Sequence, residues 1–332
     1  MITIDGSHGE GGGQLVRLSC ALSALTGRPV RLIRVRARRA PPGLAPQHLA
    51  AVQAVAQMCN AETEGLALRA REFTFRPGPI QGGEYRFDVG TAGSITLVLQ
   101  AVLPVALAAP AASTLYVIGG TDVKAAPPFD YFRYVYLPLL QRLGLDIRAT
   151  LVRRGYYPRG GGEVEVRVQP GRPASLTLDA PGALQELAGI AHVANLPAHI
   201  VERMQRTATQ VLAEHGNASI ELQTPGRAEA IGAGGAIVLW ARLANTLLGG
   251  SEVAQHGIPA ERIAEQAAYA LHAELRAAIT IDVHAADQLL VYLALAGRPG
   301  HFTARAYSSH AQTTAWLIEQ FLPVRVTAGP AG

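Results

Sequence analysis

Apolar periodicity carries this chain twice through the same order of elements: strand, helix, strand, helix, strand, strand. No other feature limits the possible fold as much. The first pass runs through the alternating strand Ile2–Asp5, the glycine-rich turn Gly6–Gly13 and the helix Gln14–Leu25, closed by Gly27. It continues with the strand Val30–Arg36, the helix Gln47–Cys59 and two short strands, Ala61–Leu66 and Glu72–Arg76. The second pass is Tyr85–Val89, Ile95–Ala108, Thr114–Ile118, Asp130–Leu143, Asp146–Arg153 and Glu163–Val168. A third begins at Ser175–Leu178 and resumes with helix Ala285–Ala296, strand His301–Tyr307, helix His310–Phe321 and strand Val324–Thr327. One such unit cannot bury its own apolar faces, so recurrence predicts stacked, pseudo-symmetric copies. The expected class is α/β (α+β), with three βαβαββ-type repeats in the main domain.

Residues 185–279 interrupt the third copy with a pattern of their own. The periodicity predicts a strand over Leu187–Leu196, a helix over Ala198–His215, strands at Ala218–Gln223 and Ala236–Leu243, and a long amphipathic helix over Pro259–Ala277. The expected organisation is a main domain of residues 1–184 and 280–332 that carries a smaller inserted α+β domain in a surface loop.

Charge narrows the chemistry. The chain of 332 residues has a net charge of +4, and of its 29 basic residues only Lys124 is lysine. Arginine forks match phosphate geometry, and a basic surface tolerates a polyanionic partner. No GxxxxGK[ST] phosphate loop occurs, and Thr121-Asp122-Val123-Lys124-Ala125 is not a ligase-type lysine motif. Lysine is therefore a poor carrier for any covalent nucleotide. Cys20 and Cys59 lie in apolar helical runs without a CxxC spacing, as reduced core residues do. With no long apolar run and no basic leader at Met1–Asp5, a cytoplasmic location is expected.

Four stretches carry candidate chemistry. In Gly9-Glu10-Gly11-Gly12-Gly13-Gln14, glycines at a strand-to-helix turn let backbone N–H groups approach an anion, and Glu10 can hold a divalent cation. A tight structural turn reads equally well there. Arg36, Arg38 and Arg39, with Arg17 on the neighbouring helix, form either a phosphate clamp or a solvated loop. Asp287, in the HAADQ stretch 284–288, reads first as a helix cap and second as a ribose or metal ligand. His192 and His199 have no thiol or carboxylate pattern around them and read as ordinary polar residues. In Tyr307-Ser308-Ser309-His310 a strand-like stretch hands over to a helix capped by Ser308 or Ser309. His310 then lies in a first turn, where free N–H groups and the dipole favour an anion. That suits a structural cap as well as a nucleophile toward phosphorus.

Six motifs occur in order: GEGGGQ, RARRAPPGLxxQH at 36–48, GGTD at 119–122, RGYYPRGGGEV at 154–164, HAADQ at 284–288 and SSHAQT at 308–313. Together they make the chain resemble the RNA 3′-terminal phosphate cyclase family over essentially its full length, RGxxPxGGG being the most specific. The resemblance implies three βαβαββ-type repeats and a small insert similar to the C-terminal domain of a translation initiation factor. It implies a ligase that uses ATP to convert an RNA 3′-phosphate into a 2′,3′-cyclic phosphodiester through a histidine–AMP and an RNA-adenylate, releasing AMP and pyrophosphate. The matching nucleophile is His310. By the same resemblance, Gln100, His284, Ala285, Ala286, Asp287 and Gln288 form the nucleotide site, with Pro127 and Tyr131 as apolar contacts to adenine. Glu10 matches the ligand for Mg²⁺ or Mn²⁺, and Gln14, Arg17, Arg36, Arg39 and Gln47 match contacts to phosphate or the RNA end. Ala285 stands where the family commonly has a larger aliphatic residue, and His284 where it sometimes has tyrosine. Both bear on adenine packing and not on the reaction.

The expected partners are RNA with a 3′-phosphate end and ATP, with no membrane; the residues imply no protein partner. Three other readings compete. A catalytically inactive cyclase-like protein of rRNA processing would lack the histidine, which is present. An enolpyruvyl-transferase-like enzyme shares the repeated units but leans on lysine. A non-catalytic RNA-binding protein would show an aromatic stacking motif, and none occurs.

Overall fold

In the computed structural model, which describes residues 1–329, strand order repeats as the pattern requires. The first unit comprises β1 (Ile2–Asp5), α1 (Gly13–Thr26), β2 (Val30–Ile33), α2 (Pro46–Met58), β3 (Glu62–Glu64) and β4 (Phe73–Arg76). β1 and β2 are parallel, β4 is antiparallel to both β2 and β3, and the sheet order is β1-β2-β4-β3. The second unit comprises β5 (Gly83–Asp88), α3 (Ile95–Leu107), β6 (Ser113–Gly119), α4 (Phe129–Arg142), β7 (Ile147–Gly155) and β8 (Gly162–Val168). Its order, β5-β6-β8-β7, is the same. Parallel neighbours demand a crossover, which α1 and α3 supply. β8 shows the patterning that fixes one face inward: Val164, Val166 and Val168 are buried and Arg167 is exposed.

α4 is one helix from Phe129 to Arg142 with an irregular middle: Phe129–Tyr131 and Leu137–Arg142 are α-helical, and Phe132–Tyr136 forms a π-turn. Such turns recur beside functional sites, and Tyr131 lies just before this one. α3 is buried almost all round, which is why its sequence shows so little amphipathicity; only Leu97 and Gln100 escape burial.

The interrupting segment folds as β9 (Leu184–Ala194), α5 (His199–Leu212), a 3₁₀ turn at Ala213–His215, β10 (Ala218–Gln223), β11 (Ala230–Ile231), β12 (Gly234–Leu243), β13 (Leu247–Val253) and α6 (Ala260–Arg276). Its sheet runs β10-β9-β12-β13. α5 and α6 cover one face with a second hydrophobic core, drawn from residues between Leu187 and Ile279. The other face, with Ile190, Val238, Trp240 and Leu247, belongs to the main core, and Trp240 stacks on Tyr134 with centroids 4.8 Å apart. β11 extends the second unit's sheet beside β7.

β13 has no counterpart in the sequence expectations because its apolar alternation is broken at Gly249-Gly250. The structure explains the glycines. A Cβ on Gly249 would stand 2.7 Å from the Tyr131 ring, and one on Gly250 would stand 2.4 Å from the Ala267 carbonyl. The strand is pressed between α4 and α6, and neither side has room for a side chain.

The third copy keeps its helices and loses its strands. α7 (Val283–Leu295) and α8 (Ser309–Phe321) form as expected and pack on each other, with α8 also against α1. The expected strands at Ser175–Leu178 and His301–Tyr307 reduce to a single parallel bridge between Thr177 and His301, and Val324–Thr327 is not a strand. The Thr303 carbonyl instead accepts from the N–H groups of Thr280 and Ile281 at 3.1 and 3.0 Å, and Arg305 pairs with Glu274 of α6 at 3.2 Å. Among the described residues no helix is long and apolar enough to cross a membrane. Cys20 and Cys59 are buried and free.

The RGYYPRGGGEV stretch closes the seam between the second unit and the inserted sheet. Arg154, at the end of β7, is buried; its guanidinium donates to Asp130 at 2.8 Å and to Gln223 at 3.0 Å, and lies 3.5 Å from Asp122. His192 of β9 sits against it at 3.1 Å and contacts the Tyr156 hydroxyl at 3.0 Å. His192 is therefore a core group satisfied by its neighbours, with Asp122 and Asp130 at 3.5 and 3.6 Å supplying the carboxylates that its sequence surroundings lack.

Candidate active site

Four helices open onto one cleft of about 870 Å³. The helix starts at Gly13, Pro46 and Ser309 have no carboxylate in their own first turns, so their positive ends face the cleft, the last of them with Glu10 beside it. The fourth, α7, is capped by Asp282, which accepts from the N–H groups of His284 and Ala285 at 3.0 Å. Asp282 also accepts from the Tyr131 hydroxyl at 2.6 Å and from Gly249 N–H at 3.0 Å. One buried carboxylate thus ties α4, β13 and α7 into a single wall. The cap expected at Asp287 belongs to Asp282.

Asp287, a turn further along, faces the cleft instead. Gln14 of α1 donates through Nε2 to Asp287 at 3.1 Å and to Thr314 at 2.7 Å, and approaches the His310 carbonyl at 3.5 Å. That carbonyl can only accept, which fixes the amide nitrogen on this side and the amide oxygen on the other. The oxygen meets His310 Nδ1 at 2.7 Å. Nδ1 therefore carries a proton, and in the neutral ring Nε2 is the bare nitrogen. Ser308 caps α8 by accepting from Ala311 N–H at 3.1 Å, which resolves the choice between the two serines.

Glu10 reaches the same point from the glycine loop, where Gly9 (φ +54°) and Gly11 (φ +59°) adopt the left-handed conformation that the tight turn needs. Its carboxylate accepts from the Ser309 hydroxyl, lies 3.5 Å from Arg39, and stands 3.2 Å from His310 Nε2. At that distance the carboxylate either pairs with a proton on Nε2 or, with Nε2 bare, calls for a cation beside it. The donor set fits a divalent ion of the Mg²⁺ or Mn²⁺ kind, which takes one or two carboxylates and completes its shell with water and phosphate oxygens.

Arg17 lies deeper. It is buried, donates to Gln100 at 3.3 Å, and its Nε has no partner. Burial pulls its pKa down to about 10, with Asp287 opposing. Burial likewise pushes the Asp287 carboxyl up to about 7 against the pull of Arg17. His48 is held near 3 by burial and by Arg17 and Arg36, so it is neutral, and its Nδ1 accepts from Ala45 N–H at 3.4 Å. A buried guanidinium with an unused donor, balanced only in part by Asp287, is a ready anion site.

A pH dependence follows from Asp287. A carboxyl with a higher pKa folded than unfolded costs stability once it ionises in the folded chain. That cost is absent below the unfolded value of about 3.9, grows as pH rises, and is complete above about 7. Asp287→Asn should therefore melt above the wild type near pH 8, with the gap closing toward about pH 4. Equal melting temperatures near pH 8 would contradict it.

Of the residues singled out in the sequence, Glu10, Gln14, Arg17, Arg36, Arg39, Gln47, Gln100, Pro127, Tyr131, His284, Asp287, Gln288 and His310 all line the cleft. Ala285 and Ala286 do not; both are buried in the α7 interface and act as packing under the wall. Arg38 points out to solvent. The structure adds His48, Lys124 and the β13 stretch Ser251–Val253. His48 closes the RARRAPPGLxxQH motif and was legible there. The β13 residues come from the inserted segment, which offered no motif.

A family model described as RNA 3′-terminal phosphate cyclase matches residues 8–328. The chain is similar to proteins of that name from Nitrosospira multiformis (52% identical, covering 98% of this chain and 92% of that one) and Pyrobaculum neutrophilum (43% identical, 100% and 96%). It is similar to another from Methylococcus capsulatus (45% identical, 98% and 92%).

Proposed function

The chain belongs to the RNA 3′-terminal phosphate cyclase family, and on that premise we propose that it uses ATP to close the 3′-phosphate end of RNA into a 2′,3′-cyclic phosphodiester. The observation that carries this reading is the fixed imidazole of His310. Gln14 Oε1 selects the Nδ1–H tautomer, and Nε2, 3.2 Å from Glu10, is left to face a cleft whose arginines and helix ends favour phosphate.

Three transfers follow. His310 Nε2 attacks the α-phosphorus of ATP; the N–P bond forms as the bond to pyrophosphate breaks. An oxygen of the RNA 3′-phosphate then takes the adenylyl group, releasing His310. Last, the adjacent ribose 2′-OH attacks the activated phosphate, loses its proton and expels AMP. A phosphomonoester dianion is a poor electrophile, and adenylylation supplies the leaving group. The final attack is intramolecular, so proximity lowers its barrier. Arg17, Arg36 and Arg39 hold phosphates by charge, with Gln47 and Gln100 as neutral donors. His284 and Gln288, on the first turns of α7, line the wall where the nucleotide packs against Pro127 and Tyr131. A divalent ion held by Glu10 would neutralise charge on the triphosphate as pyrophosphate leaves.

The reading predicts that purified protein with ATP, Mg²⁺ and an RNA oligomer ending in 3′-phosphate yields a product resistant to phosphatase, with AMP formed in equal amount. An RNA whose terminal phosphate stays phosphatase-sensitive after complete ATP turnover would refute it.

A further inference from the structure

A second cluster of chemistry-bearing side chains lies on the inserted segment, away from the cleft. The 3₁₀ turn after α5 carries Glu214 and His215, and the C-terminal part of α6 carries His272. His215 Nε2 and His272 Nδ1 are 3.1 Å apart; Glu214 Oε1 stands 3.4 Å from the first and 3.3 Å from the second. Three donor atoms of two imidazoles and a carboxylate thus form a nearly equilateral triangle.

The size of that triangle suits a tetrahedral ion. Zinc binds imidazole nitrogen and carboxylate oxygen at about 2.0–2.2 Å, and a tetrahedron with those bonds has edges of about 3.3–3.5 Å. Octahedral coordination at the same bond lengths would bring neighbouring donors to about 2.8–3.1 Å. Two of the three edges match the tetrahedral spacing, and the third needs to open by only a few tenths of an ångström. We propose that Glu214, His215 and His272 bind a Zn²⁺ ion, with the fourth position open to water.

The rings are held for this. His215 and His272 are mostly buried while Glu214 is half exposed, so the site is walled by imidazoles and entered past the carboxylate. The Tyr269 ring meets His272 edge-on, with centroids 6.2 Å apart. Without metal, one ring must carry its proton on the facing nitrogen to make the His–His hydrogen bond. On binding, that proton moves to the far nitrogen and the lone pair is freed.

The other His–carboxylate cluster, Asp122, Asp130 and His192, shows the contrast. There the buried Arg154 guanidinium already supplies the cation, at 2.8 Å from Asp130. At Glu214 an arginine, Arg276, comes only to 3.8 Å and is two-thirds exposed, free to swing away. The predicted ion joins the end of α5 to α6 and staples the two helices across the outer face of the second core.

Co²⁺ replaces Zn²⁺ in four-coordinate sites and reports them by intense visible absorption. The full chain, stripped with a chelator, should bind one Co²⁺ with such bands, and Zn²⁺ should abolish them. His272→Ala should lose the bands, while His310→Ala, which disables the cleft, should keep them. Glu214→Gln, at an exposed position, should raise the Zn²⁺ dissociation constant about tenfold or more. Zn²⁺ should raise the melting temperature of the wild type and not of His272→Ala. Weak octahedral spectra, bands that survive both His272→Ala and Glu214→Gln, or bands lost with His310 would each overturn the assignment.

Discussion

His310→Ala should abolish self-adenylylation, lowering it by roughly 10³-fold or more, as removal of a covalent nucleophile does. Incubated with Mg²⁺ and ATP radiolabelled on its α-phosphate, the wild-type chain should take up label through an acid-labile, alkali-stable bond, and the variant should not. The loss has to be chemical, since the His310 side chain is half exposed and its removal should cost stability little. The other two transfers separate this explanation from a general collapse of the cleft. RNA that already carries AMP on its 3′-phosphate needs no histidine for closure, because the 2′-OH attacks an activated phosphate directly. His310→Ala should therefore still cyclise pre-adenylylated RNA while failing on RNA with a bare 3′-phosphate. Equal labelling of variant and wild type would remove His310 from the reaction. Failure on both RNAs would instead give the residue a part in building the RNA site.

The legibility of the site divides along physical lines. Glu10, Gln14 and His310 were readable because a glycine turn and a capped helix start are local events written within a few residues. Their meeting was not readable: Gln14 and His310 are far apart in sequence, and only the packing of α8 on α1 brings amide to imidazole. Asp287 was misassigned as a cap for a related reason. Asp282 and Asp287 both precede or begin an apolar helix, and the chain alone does not say which one turns inward to Tyr131 and Gly249. β13 was illegible because its glycines answer to α4 and α6, neighbours that a single strand's pattern cannot display. The third copy's strands failed in the opposite sense. Their alternation is present, but the backbone of Thr303 bonds to Thr280 and Ile281, and one bridge is all that forms.

Arg154→Met should be the most damaging single change outside the cleft, at about 3–5 kcal/mol, the usual cost of breaking a buried ion pair from one side. Asp122 and Asp130 are each about 1% exposed, and Arg154 is the only arginine or lysine within salt-bridge range of either among the described residues. Burial alone would push the Asp122 carboxyl up; facing His192 and Arg154 outweigh it and bring it down to about 2. Because that value is below the unfolded one, Asp122 contributes stability that is present above about pH 3.9 and is lost as pH falls through about 2. Without Arg154 mainly His192 still opposes burial, so the Asp122 carboxyl rises and its ionisation costs more, which acid relieves. Denaturant melts should show the gap between wild type and Arg154→Met widest near pH 7 and narrower near pH 5. In thermal melts the loss should appear as a drop of roughly 5–15 °C. Adding Asp122→Asn and Asp130→Asn to Arg154→Met should recover much of it, because neutral amides of the same shape need no buried cation. The consequence reaches the cleft, for Asp130 sits on α4 directly before Tyr131, and the Tyr131 wall is held from one side by Asp282 and from the other by this seam. A variant within about 1 kcal/mol of the wild type at neutral pH would mean that water, not Arg154, balances the two carboxylates.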